Sequence, residues 1–380
     1  MRKSNRSDVA PFIVMDIMEA ARKAEAAGRH IIHMEVGQPG TPAPERARLA
    51  LADAMNQGST LGYTTALGLQ ELRDRIAGLY RTRHGLEIDP GRVIVTAGAS
   101  GAFILAFSAL FDAGDQVALG VPAYPSYRQI LSAMSLLPVG LPTDISTRFQ
   151  PTVPMIPGDV AGLIVASPSN PAGTMLDRPS LSALIERCDE LGAAFISDEI
   201  YHGLDFGMKA VSALEISDDV FVINSFSKYF SMTGWRLGWM IVPESHIRVV
   251  DRLAQNMFIC PPHASQVAGC AAFDAVEELE ANRAVYAKNR DLLMDALPKA
   301  GFTKLAPPDG AFYIYADISD LTDDSMAFAA DILDKVGVAV TPGVDFDADR
   351  GQTTLRLSYA GSTADIKEGI ERLARYMGSP

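Results

Sequence analysis

Short apolar runs recur along the chain from residue 58 onward, each rich in Val, Ile, Leu, Ala or Phe: VIVT at 93–96, QVALG at 116–120, GLIVAS at 162–167, AAFIS at 193–197 and VFVIN at 220–224. Runs of this length and composition read as strands buried on both faces. Between them lie helix-length segments, one after Gly101 and one over 180–191, so strands and helices alternate. The alternation predicts an α/β fold in which a mostly parallel sheet lies between helices. The apolar stretch 237–242 follows VFVIN too closely for a helical crossover and is expected to run antiparallel.

The segment 11–28 (PFIVMDIMEAARKAEAAG) opens on proline, ends on glycine and is apolar along one side, which predicts a helix that packs as an arm. Beyond Pro261 and Pro262 comes a long helical region rich in Ala and Glu. A separate β-containing part follows, with GAFYIYADI at 310–318 and TTLRLSYA at 353–360. The pattern divides the chain into a large domain over 41–279 and a smaller α+β domain built from 280–380, with 1–40 joining it as an N-terminal arm.

Composition narrows the function classes. With 380 residues at 48% hydrophobic, the chain can bury a core larger than one ordinary domain. The net charge of -13, from 33 basic and 46 acidic residues without a basic run, argues against nucleic acid or an anionic membrane as partner. Cys188, Cys260 and Cys270 show no paired or metal-like spacing and read as small core residues of a reducing compartment, which makes the cytoplasm the expected location. The apolar run 11–15 is cut short by Asp16, so no secretory signal is expected, and nothing approaches the ~18 apolar residues of a membrane span. No histidine pair or His/Cys cluster has metal-ligand spacing, so no metal is expected, and His202 is expected on a polar rim.

The candidate chemistry centres on 225–238 (SFSKYFSMTGWRLG). Lys228 lies just past the strand VFVIN, at the end of the sheet where open α/β folds bind ligands. Phe226, Tyr229, Phe230 and Trp235 surround it in sequence, and Arg236 follows eight residues on. Desolvation and the nearby cation would lower the amine's pKa and free it as a nucleophile, the chemistry of a Schiff-base lysine. A lysine after a strand is otherwise a surface residue. GASG at 98–101 joins a strand to a helix, where the backbone can approach a phosphate, although a tight turn explains it equally well. Asp198 ends the strand AAFIS and needs a partner to stay charged, or else caps a helix. SPSNPAG at 167–173 reads as turn residues, and Tyr124 in PAYPSY as a possible core aromatic. Arg356 alternates with Leu355 and Leu357 and so faces the opposite side of its strand.

S-x-S-K followed by T-G-x-R-x-G, with D-E-I-Y at 198–201 and N-P-x-G at 170–173, resembles the class I/II aminotransferases of pyridoxal phosphate (PLP) fold type I, and the matches run in family order from Gly37 to Arg356. The resemblance implies a seven-stranded-type sheet, pyridoxal 5'-phosphate as cofactor, and transfer of an amino group from an L-amino acid to a 2-oxo acid. It implies that Lys228 forms the internal aldimine and later moves the substrate's proton. Ala99, Ser100, Ser225 and Arg236 would hold the phosphate, Asp198 the pyridine nitrogen, and Asn170 and Tyr201 the phenolic oxygen, with Tyr124 stacked on the ring. Arg356 would grip the substrate carboxylate in bidentate fashion, helped by Asn170 and the Gly37 N–H. Tyr63, in GYTTALGLQELR, resembles the segment that reaches the neighbouring subunit's phosphate, which implies a homodimer with shared sites. Two other readings stand beside this one. A carbon–sulfur β-lyase of the same fold would make ammonia and pyruvate from a cysteine S-conjugate without a keto-acid acceptor. A non-catalytic PLP-binding regulator would carry a DNA-binding domain ahead of the fold, for which the fewer than about forty residues before Gly37 are too short. A dicarboxylic, an aromatic and a small aliphatic amino donor all stay open, because no motif places a second arginine.

Overall fold

The computed structural model describes residues 1–378. Its main sheet has seven strands: β1 (Val93–Thr96), β2 (Gln116–Val121), β3 (Leu137–Pro142), β4 (Gly162–Ala166), β5 (Ala194–Asp198), β6 (Phe221–Ser225) and β7 (Gly238–Ile241). They lie in the order β1-β7-β6-β5-β4-β2-β3. All neighbours are parallel except β7, which runs antiparallel to both β1 and β6. Successive side chains bury on opposite faces, as the pleat requires. Val93 and Val95 join one apolar cluster with Leu163, Phe195 and Val222, while Ile94 joins the other with Ile164, Ile196 and Ile223.

The sequence pattern missed β3. LPVGLP carries two prolines and a glycine in six residues, which argues against a central strand. It is an edge strand, paired only to β2, where a missing N–H on the open side breaks no ladder bond.

Three helices matter for the site: α1 (Ile13–Ala26), α2 (Gly98–Leu110) and α3 (Pro125–Ala133). GASG proves to be the first turn of α2 rather than a turn ahead of it. The region after Pro262 divides into two helices, His263–Ala272 and Val276–Lys299. Beyond them a four-stranded antiparallel sheet is built from β8 (Lys304–Leu305), β9 (Tyr313–Asp317), β10 (Thr341–Pro342) and β11 (Thr354–Ser358), in the order β10-β11-β9-β8. Ile32–His33 pairs in parallel with Val338–Ala339, which ties the segment after α1 to this C-terminal part. Cys188 and Cys270 are buried and Cys260 is partly so, all three as free thiols. Among the described residues no helix is long and apolar enough to cross a membrane.

Glycine 238 fixes a close approach that the site depends on. It pairs with Thr96 of β1 on one side and Ser225 of β6 on the other. A Cβ there would stand 2.8 Å from the Gly98 carbonyl carbon and 2.9 Å from the Asn224 oxygen, so only glycine lets the two loops meet.

Candidate active site

Because β1, β2, β4, β5 and β6 are oriented alike, their C-terminal ends deliver their loops to one edge of the sheet. Those loops, with α1 and the C-terminal sheet, enclose a cavity of about 200 Å³. Lys228, Asp198, Asn170, Tyr124, Tyr201, Ala99, Ser100, Arg236, Gly37 and Arg356 all line it.

Lys228 enters from the loop after β6 and donates to the Gly37 carbonyl at 2.6 Å. Its ammonium lies 5.8 Å from the ring centroids of Tyr201 and Phe312. Burial pushes the amine down to about 8; Arg356 lowers it further, Asp198 opposes, and Arg236 is the weakest influence. The sequence had pointed to Arg236 as the depressing cation, but the arginine brought close by the fold is 128 residues downstream of the lysine. In protein stripped of cofactor, an amine-directed reagent should therefore trap Lys228 with a midpoint near pH 8. A midpoint at the ordinary lysine value would show that the amine is solvated.

Asp198 closes β5 and is buried. The Tyr127 hydroxyl donates to one carboxylate oxygen, and the Ile200 N–H donates to the other at 3.1 Å. Burial raises its pKa to about 6, while these two donors and Lys228 hold it from rising further. Tyr127 was not found from sequence. It lies three residues past Tyr124 at the start of α3, edge-on to that ring with centroids 5.4 Å apart, and nothing in PSY announces a partner 71 residues away.

The opposite end suits an anion. Ala97 supplies no side-chain cap to α2, so the first-turn N–H groups and the positive end of the helix face the cavity at Ala99 and Ser100. Arg236 packs so closely over Gly98 that a Cβ there would lie 2.5 Å from its Nη2. Ser225 departs from expectation. Its hydroxyl is buried against the Leu237 carbonyl at 3.0 Å and the Ser227 hydroxyl at 2.9 Å, and it accepts the Ser227 N–H. Ser227, not Ser225, stands on the cavity wall.

Arg356 comes from β11, with Leu355 and Leu357 turned into the core as their alternation predicts. Its Nη1 donates to Asn170 Oδ1 at 2.9 Å, and its Nη2 to the Glu35 carbonyl at 2.5 Å and Thr341 Oγ1 at 3.3 Å. The guanidinium lies over the rings of Tyr313 and Phe346, 4.4 and 4.7 Å from their centroids. Its buried Nε has no partner. A buried cation with a spare donor and only neutral acceptors is a site for a carboxylate.

Tyr201 shares a hydrogen bond with Tyr313 at 2.8 Å, and burial raises its hydroxyl well above the ordinary range. At Gly37 the carbonyl rather than the N–H is engaged, and a Cβ would collide with the Tyr313 hydroxyl. Tyr63 is not brought to the cavity; its side chain is 83% exposed. His202 is buried rather than on a rim, with Nε2 against the Ser167 carbonyl at 3.0 Å, and burial pushes its pKa well below 6.5. The arm was expected only to pack, yet Phe12, Val14, Met15 and Met18 form part of the cavity wall. Among the described residues no three or more His, Cys, Asp or Glu side chains converge as a metal site would need.

The donor set fits pyridoxal 5'-phosphate: an anion-binding helix start with an arginine at one end, a buried carboxylate at the other, and a lysine with a depressed pKa between them. The family model for aminotransferase class I and II matches residues 29–373. The valine–pyruvate aminotransferase of Mycobacterium tuberculosis is 47% identical over 385 aligned residues, covering 100% of this chain and 99% of that protein. Among solved structures, a Silicibacter pomeroyi chain is 62% identical with a TM-score of 0.95 and full coverage of both chains. The aspartate aminotransferase of Thermus thermophilus crystallised with maleate is 30% identical with a TM-score of 0.92, covering 99% and 100%.

Proposed function

The chain belongs to the class I and II aminotransferases, pyridoxal-phosphate enzymes of fold type I that move an amino group between amino acids and 2-oxo acids, and from that premise we propose how its residues divide the work and which amino acid it takes. The bound cofactor supplies an electron sink for the pair left on the substrate's α-carbon when its proton departs. The first turn of α2 with Ser100, Ser227 and Arg236 would hold the phosphate, and Ser225, which accepts the Ser227 N–H, positions Ser227. Asp198, held by Tyr127 and the Ile200 N–H, would bond the ring nitrogen and favour its protonated form. Asn170 and Tyr201, both on the cavity wall, would hold the phenolic oxygen, and Tyr124 would pack on the ring.

Arg356 takes the substrate carboxylate with Asn170 and so aims the α-carbon at Lys228. Lys228 Nζ would accept the α-proton and hold it for return, a role favoured by a pKa near the working pH. The observation that carries this reading is the convergence on one cavity of the lysine, the buried carboxylate and an arginine with an unpartnered donor.

The wall also speaks to the donor. Among the described residues, Lys228, Arg236 and Arg356 are the cations on it, and each has a task above. The remaining surface includes Phe12, Val14, Met15, Met18 and Ile130, so a distal carboxylate would be desolvated without a partner. An apolar amino acid of valine or leucine size is the fitting donor, with pyruvate as acceptor as in the Mycobacterium tuberculosis relative. Tyr63 supports a homodimer in which it covers the partner's phosphate site, since its ring is otherwise left in solvent. The division into a large domain over 41–279 and a small one from 1–40 and 280–380 is kept, with the cavity between them. The three free thiols accord with the cytoplasm.

Absorbance titration of the holoenzyme tests the reading. Valine and leucine should convert the cofactor to its amine form, and pyruvate should restore it, with aspartate at least about tenfold poorer in kcat/KM. Preference for aspartate would overturn the apolar assignment. Ammonia and pyruvate released from a cysteine S-conjugate without a keto acid would turn the assignment to the lyase.

A further inference from the structure

The arm that roofs the cavity has no cap of its own. α1 begins at Ile13, and Phe12 at its N-cap offers no side-chain acceptor to the first-turn N–H groups. The acceptor comes from the far end of the chain. Ile13 N–H donates to Asp345 Oδ1 at 3.0 Å, and Val14 N–H donates to Oδ2 at 3.4 Å. A carboxylate in this place supplies hydrogen bonds and also meets the positive end of the helix.

Asp345 is buried at the end of a short turn, Gly343–Asp345, that follows β10, the neighbour of the strand carrying Arg356. Burial raises its pKa above the ordinary carboxylate value, while the α1 N–H groups, Arg356 and Arg128 hold it down. Arg128 also donates to the Asp345 carbonyl at 3.4 Å. A second tie runs to α3, where the Ala10 N–H donates to Gln129 Oε1 at 3.1 Å. Ile17 and Ala21 on one side of α1 pack on Ile31, Leu333 and Ala339, while Phe12, Val14, Met15 and Met18 look into the cavity.

We propose that Asp345 is a positioning residue for donor selection: by capping α1 across the fold it sets how closely the apolar wall of the arm approaches the substrate side chain, without touching the reacting atoms. The inference rests on the apolar-donor reading above. Its ceiling follows from burial, since fully covering a valine or leucine side chain corresponds to about a ten- to a hundredfold gain in affinity. Alanine, whose side chain is too short to meet the arm, should not sense the wall.

The test compares Asp345→Ala and Asp345→Asn holoenzymes in the half-reaction with leucine, valine and alanine, alongside hydrogen exchange of a peptide covering 10–20. Asp345→Ala should raise KM for leucine and valine about tenfold, leave alanine within about twofold and kcat within about threefold, and speed exchange at Ile13 and Val14. Asp345→Asn keeps an oxygen for Ile13 but loses the charge at the helix end, and should raise the leucine KM about threefold. Equal losses for alanine and leucine, or unchanged exchange at Ile13 and Val14, would overturn the proposal. Should the alanine variant fail to fold, the asparagine variant decides, and one matching wild type in both readouts overturns it. A wild type that prefers aspartate would defeat the apolar-donor reading, while the exchange data still decide whether Asp345 holds the arm.

Discussion

Replacing Lys228 with alanine should abolish amino-group transfer, lowering kcat by at least about four orders of magnitude, while the cofactor still binds. A positioned base alone contributes about 10²–10⁴, and the same substitution removes the amine proposed to bond the cofactor covalently. The nearest acidic and phenolic alternatives, Asp198 and Tyr201, are already engaged. Asp198 is occupied by Tyr127 and the Ile200 N–H, and Tyr201 is held to Tyr313 with its hydroxyl pKa raised well above the ordinary range. Retention of cofactor is expected because the α2 start, Arg236 and Asp198 do not depend on the lysine for their own partners. Single-turnover absorbance with leucine checks this, and unimpaired turnover in the variant would remove Lys228 from the mechanism.

Arg356→Ala should cost about 30- to 5,000-fold in kcat/KM for every amino acid donor. Truncating one member of a buried, hydrogen-bonded charge pair costs about 2–5 kcal/mol, and each 1.36 kcal/mol is a factor of about ten. Arg356→Lys should recover little. An ammonium is a point charge on a flexible stem, whereas this guanidinium donates to Asn170 and the Glu35 carbonyl at once while lying between two aromatic rings. A primary amine lacking the α-carboxylate separates a lost clamp from a damaged fold, because its slow reaction should be nearly unaffected by the substitution. The pH profile should move as well. Arg356 is the cation that most depresses Lys228, so its removal raises the amine's pKa above about 8 and shifts the acid limb of the rate to higher pH.

The sequence made much of this site legible, for reasons that particular residues explain. β1, β2, β4, β5 and β6 are read as strands because each is an unbroken apolar run, and β7 is read as antiparallel because no crossover fits the gap before it. Lys228, Asp198 and Asn170 follow such strands directly, so a prediction of the sheet is also a prediction of where they gather. What stayed hidden depends on contacts between distant segments. Tyr127 meets Asp198, and Asp345 meets α1, without any local pattern to signal it. The amphipathic spacing of α1 tells that it packs, but not that its remaining apolar residues wall a cavity. Ser225 ends β6 and Ser227 lies in the turn after it, and sequence alone could not say which of them faces the cavity.

Gly238 bears on how this enzyme can change. The lysine loop and the first turn of α2, the proposed phosphate site, share one backbone joint at that residue, where a single added methyl would force both flanks apart. Variation on that side must preserve cofactor grip and proton transfer together, so the two behave as one inherited unit. The arm is held to the rest of the chain by a few separable ties, and Phe12 is its contact with a group assigned to the chemistry, edge-on to Tyr124 with centroids 5.9 Å apart. New donor preferences can therefore arise by exchanging Val14, Met15 and Met18, which line the cavity away from that ring contact and from the core packing of Ile17.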